Sequence, residues 1–281
     1  MSDWHRLVGQ RAPITSLQNP RVKHVVRLRD RAGRDEAREL LIEGSRALRR
    51  ALDCDYRPQT VYFCAELFQE EGEETILNDA ASGGAELWPV SAAVLRKMAY
   101  RDRPEGIIAV GPYLTQRPED LLLSDCPLLV VVVNVEKPGN LGAILRSADA
   151  VGADGIIVCD PHTDVHNPNV VWASTGTIFR VPIAETSFAE ALAWLRQHGI
   201  RVLAATPHAA AEYTGVDLRS PVAIIVGSEQ AGLDRTWLDA ADLCVRIPML
   251  GLADSLNVAT ATTILLYEAL RQRRAARQGS L

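Results

Sequence analysis

An α/β fold is what this sequence predicts, and two observations carry the prediction. From Leu128 onward, short, β-branched and nearly all-apolar runs alternate with helix-length segments, and a smaller mixed unit with strands of its own precedes them. The runs are Leu128-Leu-Val-Val-Val-Val133, Gly155-Ile-Ile-Val-Cys159, Arg201-Val-Leu-Ala-Ala205, Val222-Ala-Ile-Ile-Val226 and Leu243-Cys-Val-Arg-Ile247. Strands apolar on both faces belong in a parallel sheet covered by helices on each side. The reading therefore places a first α/β domain in residues 1–111, a Pro-marked linker in 112–127 and a parallel-sheet domain in 128–281.

In the first domain Pro20 suits a first helical turn, and Val22, Val25, Val26 and Leu28 form an apolar face behind it. Leu40-Leu-Ile-Glu-Gly44 reads as a strand, with Ser45 capping a helix from Arg46 to Leu52. Further strands are expected at Thr60–Cys64, Glu86–Pro89 and Gly106–Val110. In the second domain a helix begins near Leu141, with Ile144, Ala148 and Val151 on one face and Arg146 almost opposite. The tail after Glu268 is expected to fray.

Composition narrows the class. No apolar run approaches the roughly 20 residues that span a bilayer, and Met1-Ser-Asp-Trp-His-Arg6 lacks a secretory apolar stretch, so the expected location is the cytoplasm with no membrane partner. Five scattered cysteines, none spaced Cys-x-x-Cys, argue for reduced thiols. The net charge is −5, yet residues 1–50 hold 12 Lys/Arg against 6 Asp/Glu, and Arg271, Arg273, Arg274 and Arg277 follow the last acid. Positive charge at the two ends fits phosphate contacts, and it fits solvated helix faces equally well.

Three segments mix polar residues, glycines and element boundaries: Asn134-Val-Glu-Lys-Pro-Gly-Asn-Leu-Gly-Ala-Ile-Leu-Arg146, Ile224-Ile-Val-Gly-Ser-Glu-Gln-Ala-Gly-Leu233, and Ile247-Pro-Met-Leu-Gly-Leu-Ala-Asp-Ser-Leu-Asn-Val-Ala259. Each sits where a strand ends, and together they point to one built site. Gly-x-Gly-x-x-Gly after the first strand, a phosphate-binding Gly-x-x-x-x-Gly-Lys loop and a Gly-x-Ser-x-Gly elbow are all missing. His162 and His166, with Asp160 and Asp164, lie in a Pro-broken stretch without a His-Glu-x-x-His pattern, so no metal is expected.

In order and spacing these segments resemble the signature motifs of the SpoU (TrmH-type) RNA 2′-O-ribose methyltransferases of the SPOUT superfamily, over about Leu128 to Arg271. The chain departs from the common pattern at Gln230-Ala231, where many relatives place a glycine, and at Thr260 and Thr263, where apolar or small residues are usual. The resemblance implies a SPOUT arrangement with a deep trefoil knot, S-adenosylmethionine as methyl donor, structured RNA as substrate, ribosomal more than transfer RNA, and a homodimer through the knotted domain. The first domain more faintly resembles the RNA-binding domain that many SpoU enzymes carry.

By that resemblance Arg146 is the essential arginine, and Asn140 positions it. Glu229 organises the site, and Asn257 is a polar site residue at the helix start. Ser255 is either a site residue, the cap of the last helix, or both. Gly227, Ile247 and Leu256 are the cofactor residues, with Met249 offering apolar contact and Thr206 joining from the third strand of the domain. Asn167 to Gly176 is expected as a helix beside the RNA-facing surface.

Overall fold

The computed structural model describes residues 11–69, 71–159, 164–228 and 231–278. The chain divides into two compact units, one of residues 1–114 and 164–180, the other of residues 115–163 and 181–281. The sequence reading placed 164–180 in the second domain. Here it belongs with the first, because the segment buries its apolar residues there.

Unit 1 contains α1 (Pro20–Arg27), α2 (Arg31–Ala37), β1 (Glu39–Glu43), α3 (Ser45–Asp53), β2 (Thr60–Phe63), α4 (Glu73–Ser82), β3 (Glu86–Pro89), α5 (Ala92–Met98) and β4 (Ile107–Pro112). Its four strands are ordered β1-β4-β2-β3 among the described residues, antiparallel except for β2 with β3. The period of two along β1 builds two cores. Leu40 and Ile42 meet Leu48, Ala51 and Leu77 of α3 and α4 on one face, while Leu41 meets Val22, Val25, Leu95 and Met98 of α1 and α5 on the other. Asn19 caps α1, accepting from Arg21 N at 2.9 Å. Gly44, at φ 98°, precedes α3 where Ser45 was expected; Ser45 lies inside the helix and is buried.

The inserted segment carries α7 (Pro168–Ala173), six residues with Val170 and Val171 buried, followed by a single 3₁₀ turn at Thr177–Phe179. Only this part of the expected 167–176 helix forms. Asp164 pairs with Arg34, a buried arginine that also donates to Leu28 O at 2.7 Å and Arg29 O at 2.8 Å. His166 stacks on Tyr113 with ring centroids 3.6 Å apart and accepts from Leu114 N at 3.1 Å. A buried charge needs such partners, and here they fasten the insert.

Unit 2 contains β5 (Leu128–Val133), α6 (Pro138–Val151), β6 (Gly155–Cys159), β7 (Ile183–Thr186), α8 (Phe188–Gln197), β8 (Arg201–Ala205), β9 (Ala211–Glu212), β10 (Val222–Val226), α9 (Arg235–Ala240), β11 (Leu243–Arg246) and α10 (Val258–Gln278). The seven described strands form a parallel sheet ordered β7-β6-β5-β10-β8-β11-β9. Every residue of β5, β6 and β10 is buried, as both-face apolarity requires. Leu129, Val131 and Val133 share a core with Trp194, Leu195 and Trp237 of α8 and α9, while α6 and α10 pack together and against β6 and β10.

Two expectations change here. The linker from residue 115 onward is part of this unit, since Leu121 is buried in the same core and Gln116 bridges to Ala184, while residues 112–114 stay with unit 1. The tail after Glu268 remains helical to Gln278 because Gln272 bonds Leu218 N and Val216 O, while Arg273 donates to four backbone carbonyls.

Candidate functional site

A cavity of about 330 Å³ opens at the carboxyl edge of β8, β10 and β11 and is closed from one side by the first turns of α10. Such an edge is where open parallel sheets bind ligands, since loops diverge there and leave backbone groups unpaired. Val226, Leu238, Val245, Val258 and Leu265 give it an apolar floor, while Thr206, His208, Ser228, Asp254 and Ser255 give it polar groups.

Each expected cofactor residue lies in this lining: Gly227 after β10, Thr206 after β8, Ile247 and Met249 after β11, and Leu256 just before α10. Thr206 is held at the end of its strand by donating its amide to Val245 O at 3.0 Å. Gly227 is required for a reason the sequence did not show. A Cβ there would lie 2.2 Å from the carbonyl oxygen of Gly232, so the glycine lets the loop fold back on its own strand. That return is fixed by Gly232 N donating to Ser228 O at 2.9 Å, with Gly232 at φ 65°, and by Ala231 N donating to Ser228 Oγ at 3.1 Å.

Among the polar site residues, Asn140 and Asn257 meet directly, Asn257 Nδ2 donating to Asn140 Oδ1 at 3.1 Å. Asn257 also caps α10, its Oδ1 accepting from Ala259 N at 3.0 Å and Thr260 N at 3.3 Å. Ser255 is therefore not the cap; it lies in the cavity lining two residues earlier. Asn257 stands between two lining residues, Leu256 and Val258, so the asparagine pair ties the start of α6 to the cavity rim. Farther along, Ser147 Oγ and Thr263 Oγ1 are 2.6 Å apart, which accounts for a threonine where apolar residues are usual.

Arg146 is exposed on α6, outside the cavity lining, and makes no hydrogen bond or ion pair among the described residues. Asn134 turns the chain out of β5 in the left-handed conformation at φ 51°, and Pro138 occupies the first turn of α6, which starts three residues earlier than expected. Glu229 lies outside the described residues, as do Asp160 and His162 of the stretch weighed for metal. Among the described residues no group of three or more His, Cys, Asp or Glu is placed to hold a metal ion.

Sequence reasoning missed His208, Ser228 and Asp254 as lining residues. The signal was present, since each lies within three residues of a predicted one at the same strand end or loop.

A donor combining a planar base, a ribose and a charged amino-acid end fits these residues. The floor is apolar, the strand ends leave backbone groups beside it, and hydroxyl and carboxylate side chains sit at the margin.

Comparison with known proteins identifies the family. Residues 127–267 match the model of the SpoU rRNA Methylase family, and residues 19–109 match an MRM3-like substrate binding domain. The 23S rRNA (uridine(2479)-2'-O)-methyltransferase of Streptomyces viridochromogenes is 30% identical over 94% of this chain and 95% of its own. A crystal structure of an RNA 2'-O ribose methyltransferase superposes with TM-score 0.79 at 43% identity, covering 94% of this chain and all of that one. The AdoMet-bound rRNA methyltransferase from Sinorhizobium meliloti superposes with TM-score 0.85 at 33% identity, over 94% and 98% of the two chains. With two of its three motifs lining one cavity and its length matched almost throughout, the chain belongs to the SpoU rRNA methylase family.

Proposed function

We propose that this chain transfers the methyl group of S-adenosylmethionine to a ribose 2′-hydroxyl of ribosomal RNA, in the cytoplasm, as a homodimer joined through unit 2. The observation that carries the reading is the convergence of Thr206, Gly227, Ile247, Met249 and Leu256, from three separate chain segments, on one cavity. The names of full-length relatives favour ribosomal over transfer RNA. Among the described residues no helix is long and apolar enough to cross a membrane.

When bound, S-adenosylmethionine supplies a methyl group that is already electrophilic at its sulfonium. The residues of the chain must then align a ribose hydroxyl with that carbon and favour loss of the hydroxyl proton as the C–O bond forms and the C–S bond breaks. Arg146 is assigned the ribose. A guanidinium is a planar cation with five hydrogen-bond donors and no acceptor, which suits positioning and charge stabilisation better than proton abstraction. Asn140, Asn257, Ser255 and Glu229 complete the proposed set, the first two through their mutual hydrogen bond.

The dimer draws support from Leu250 and Leu252, which are 98% and 102% exposed in the loop leading to the cavity, and from Tyr267 on the outer face of α10. Apolar side chains this open beside a binding cavity suit coverage by a second copy. A deep trefoil knot is part of the proposal, supported by β11 lying beyond β8 while α10 returns to β10 and α6.

The test is incubation of the protein with tritiated donor and ribosomal RNA, transfer RNA or neither, followed by nuclease digestion and mass mapping. Label in a ribose of ribosomal RNA is the expected result. Label in transfer RNA or in a base would overturn the substrate or the position, and no transfer at all would leave an RNA-binding protein.

A further inference from the structure

Trp172 is 56% exposed, on a helix whose neighbouring residues Val170 and Val171 are fully buried. Asn169 and Trp172, three apart, share the outward face of α7. A lone exposed aromatic needs no explanation, but this one has unusual surroundings within unit 1. The guanidinium of Arg101 lies over its ring, 5.1 Å from the centroid. Arg101 is held in turn by Glu105 at 2.9 Å, and its backbone by the buried carboxylate of Glu43, which accepts from Tyr100 N at 2.9 Å and Arg101 N at 3.3 Å. Asn169 Nδ2 donates to the Tyr100 hydroxyl at 3.3 Å, joining helix and loop.

Positive charge lies close by. Arg50 donates to Thr175 O at 2.6 Å, three residues along from the tryptophan, and Arg103 is exposed two residues after Arg101. Neither has an ion-pair partner among the described residues. A ring backed by a guanidinium, open over most of its surface and flanked by uncompensated cations, has the chemistry that receives a nucleotide: a π-face for the base and charge for the phosphates. Duplex RNA keeps its bases stacked within the helix and has no free base face to offer, whereas a loop or bulge does.

We infer that Trp172 is a stacking platform for one unpaired nucleotide of the RNA substrate, with Arg101 fixing the ring and Arg50 and Arg103 attracting the adjoining phosphates. This rests on the reading that the substrate is RNA, and adds that the element recognised by unit 1 contains an unpaired nucleotide.

Hexaadenylate is the probe. Titrated into the full chain it should quench tryptophan emission, and the quenching should vanish in Trp172→Phe. Trp172→Ala should weaken hexaadenylate and ribosomal RNA binding about ten-fold, Trp172→Phe should restore most of it, and a blunt-ended RNA duplex without loop or bulge should bind all three equally. In turnover, Trp172→Ala should raise KM for RNA by a similar factor with kcat and donor affinity unchanged. Binding and KM equal to wild type in Trp172→Ala would overturn the proposal. The two readings fail separately. If no RNA is methylated but quenching depends on Trp172, the platform stands without the activity. If ribosomal RNA is methylated with KM indifferent to Trp172, the activity stands without the platform.

Discussion

Gly227 has no room for a side chain, and the obstacle is the chain's own backbone. The methyl of an alanine there would lie 2.2 Å from the Gly232 carbonyl oxygen, and the loop that shapes the cavity would have to move. Gly227→Ala is expected to cost about 1–3 kcal/mol of stability, in the range of overpacked sites, and to weaken donor binding. Urea unfolding and calorimetry check the two effects. Arg146 behaves oppositely, being exposed and without a partner among the described residues. Arg146→Ala should therefore leave the unfolding midpoint in place and S-adenosylmethionine binding intact while abolishing methyl transfer. Wild-type turnover in that variant would remove Arg146 from the chemistry.

At the scale of elements, the last helix is held by polar contacts that no hydrophobic pattern announces. Arg273 donates to Cys126 O, Pro127 O, Leu218 O and Ser220 O at 2.7–3.1 Å, and so pins α10 to the segments that enter β5 and β10. Partial burial pushes this guanidinium below its ordinary pKa, but it remains charged at any physiological pH. Removing it strands several carbonyls, so Arg273→Ala is expected to lower stability by about 2 kcal/mol in denaturant unfolding. The same residue shows why the tail was misread. A row of arginines after the last acid looks like a solvated end, whereas Arg271 pairs with Glu268 at 2.7 Å and Arg273 is engaged with backbone. The long strands and α6 were legible because their periodicity is local. Short β7 and β9, of four and two residues, were not, because pairing to a neighbour is what makes them strands.

For the molecule as a whole, the insert of residues 164–180 in unit 1 gives stability an acid limit. Burial, and then the charges of Arg38 and Arg34, push the His166 pKa from 6.5 down to about 3. Between those values the unfolded chain takes up a proton that the folded chain refuses. The contribution of neutral His166 is thus complete above about pH 6.5 and lost as pH falls toward 3. Wild type should lose more stability between pH 7 and pH 4.5 than His166→Gln, as read by urea midpoints. The proposed dimer also belongs to this scale. Light scattering should give twice the mass of the 281-residue chain, and Leu250→Asp with Leu252→Asp should halve it. A monomer at assay concentration in the unmodified protein would contradict the dimer.

The α/β class, the five principal strands of the parallel sheet and the three segments at their ends were legible in the order of residues alone, because apolar periodicity and glycine placement are properties of neighbouring residues. Long-range packing set the rest: residues 164–180 pack with unit 1, Asn257 rather than Ser255 caps α10 while pairing with Asn140, and Gly227 yields its Cβ space to Gly232. Each of those depends on which distant groups fill the same volume or satisfy the same hydrogen bond. Such partnerships exist only once the chain has closed on itself.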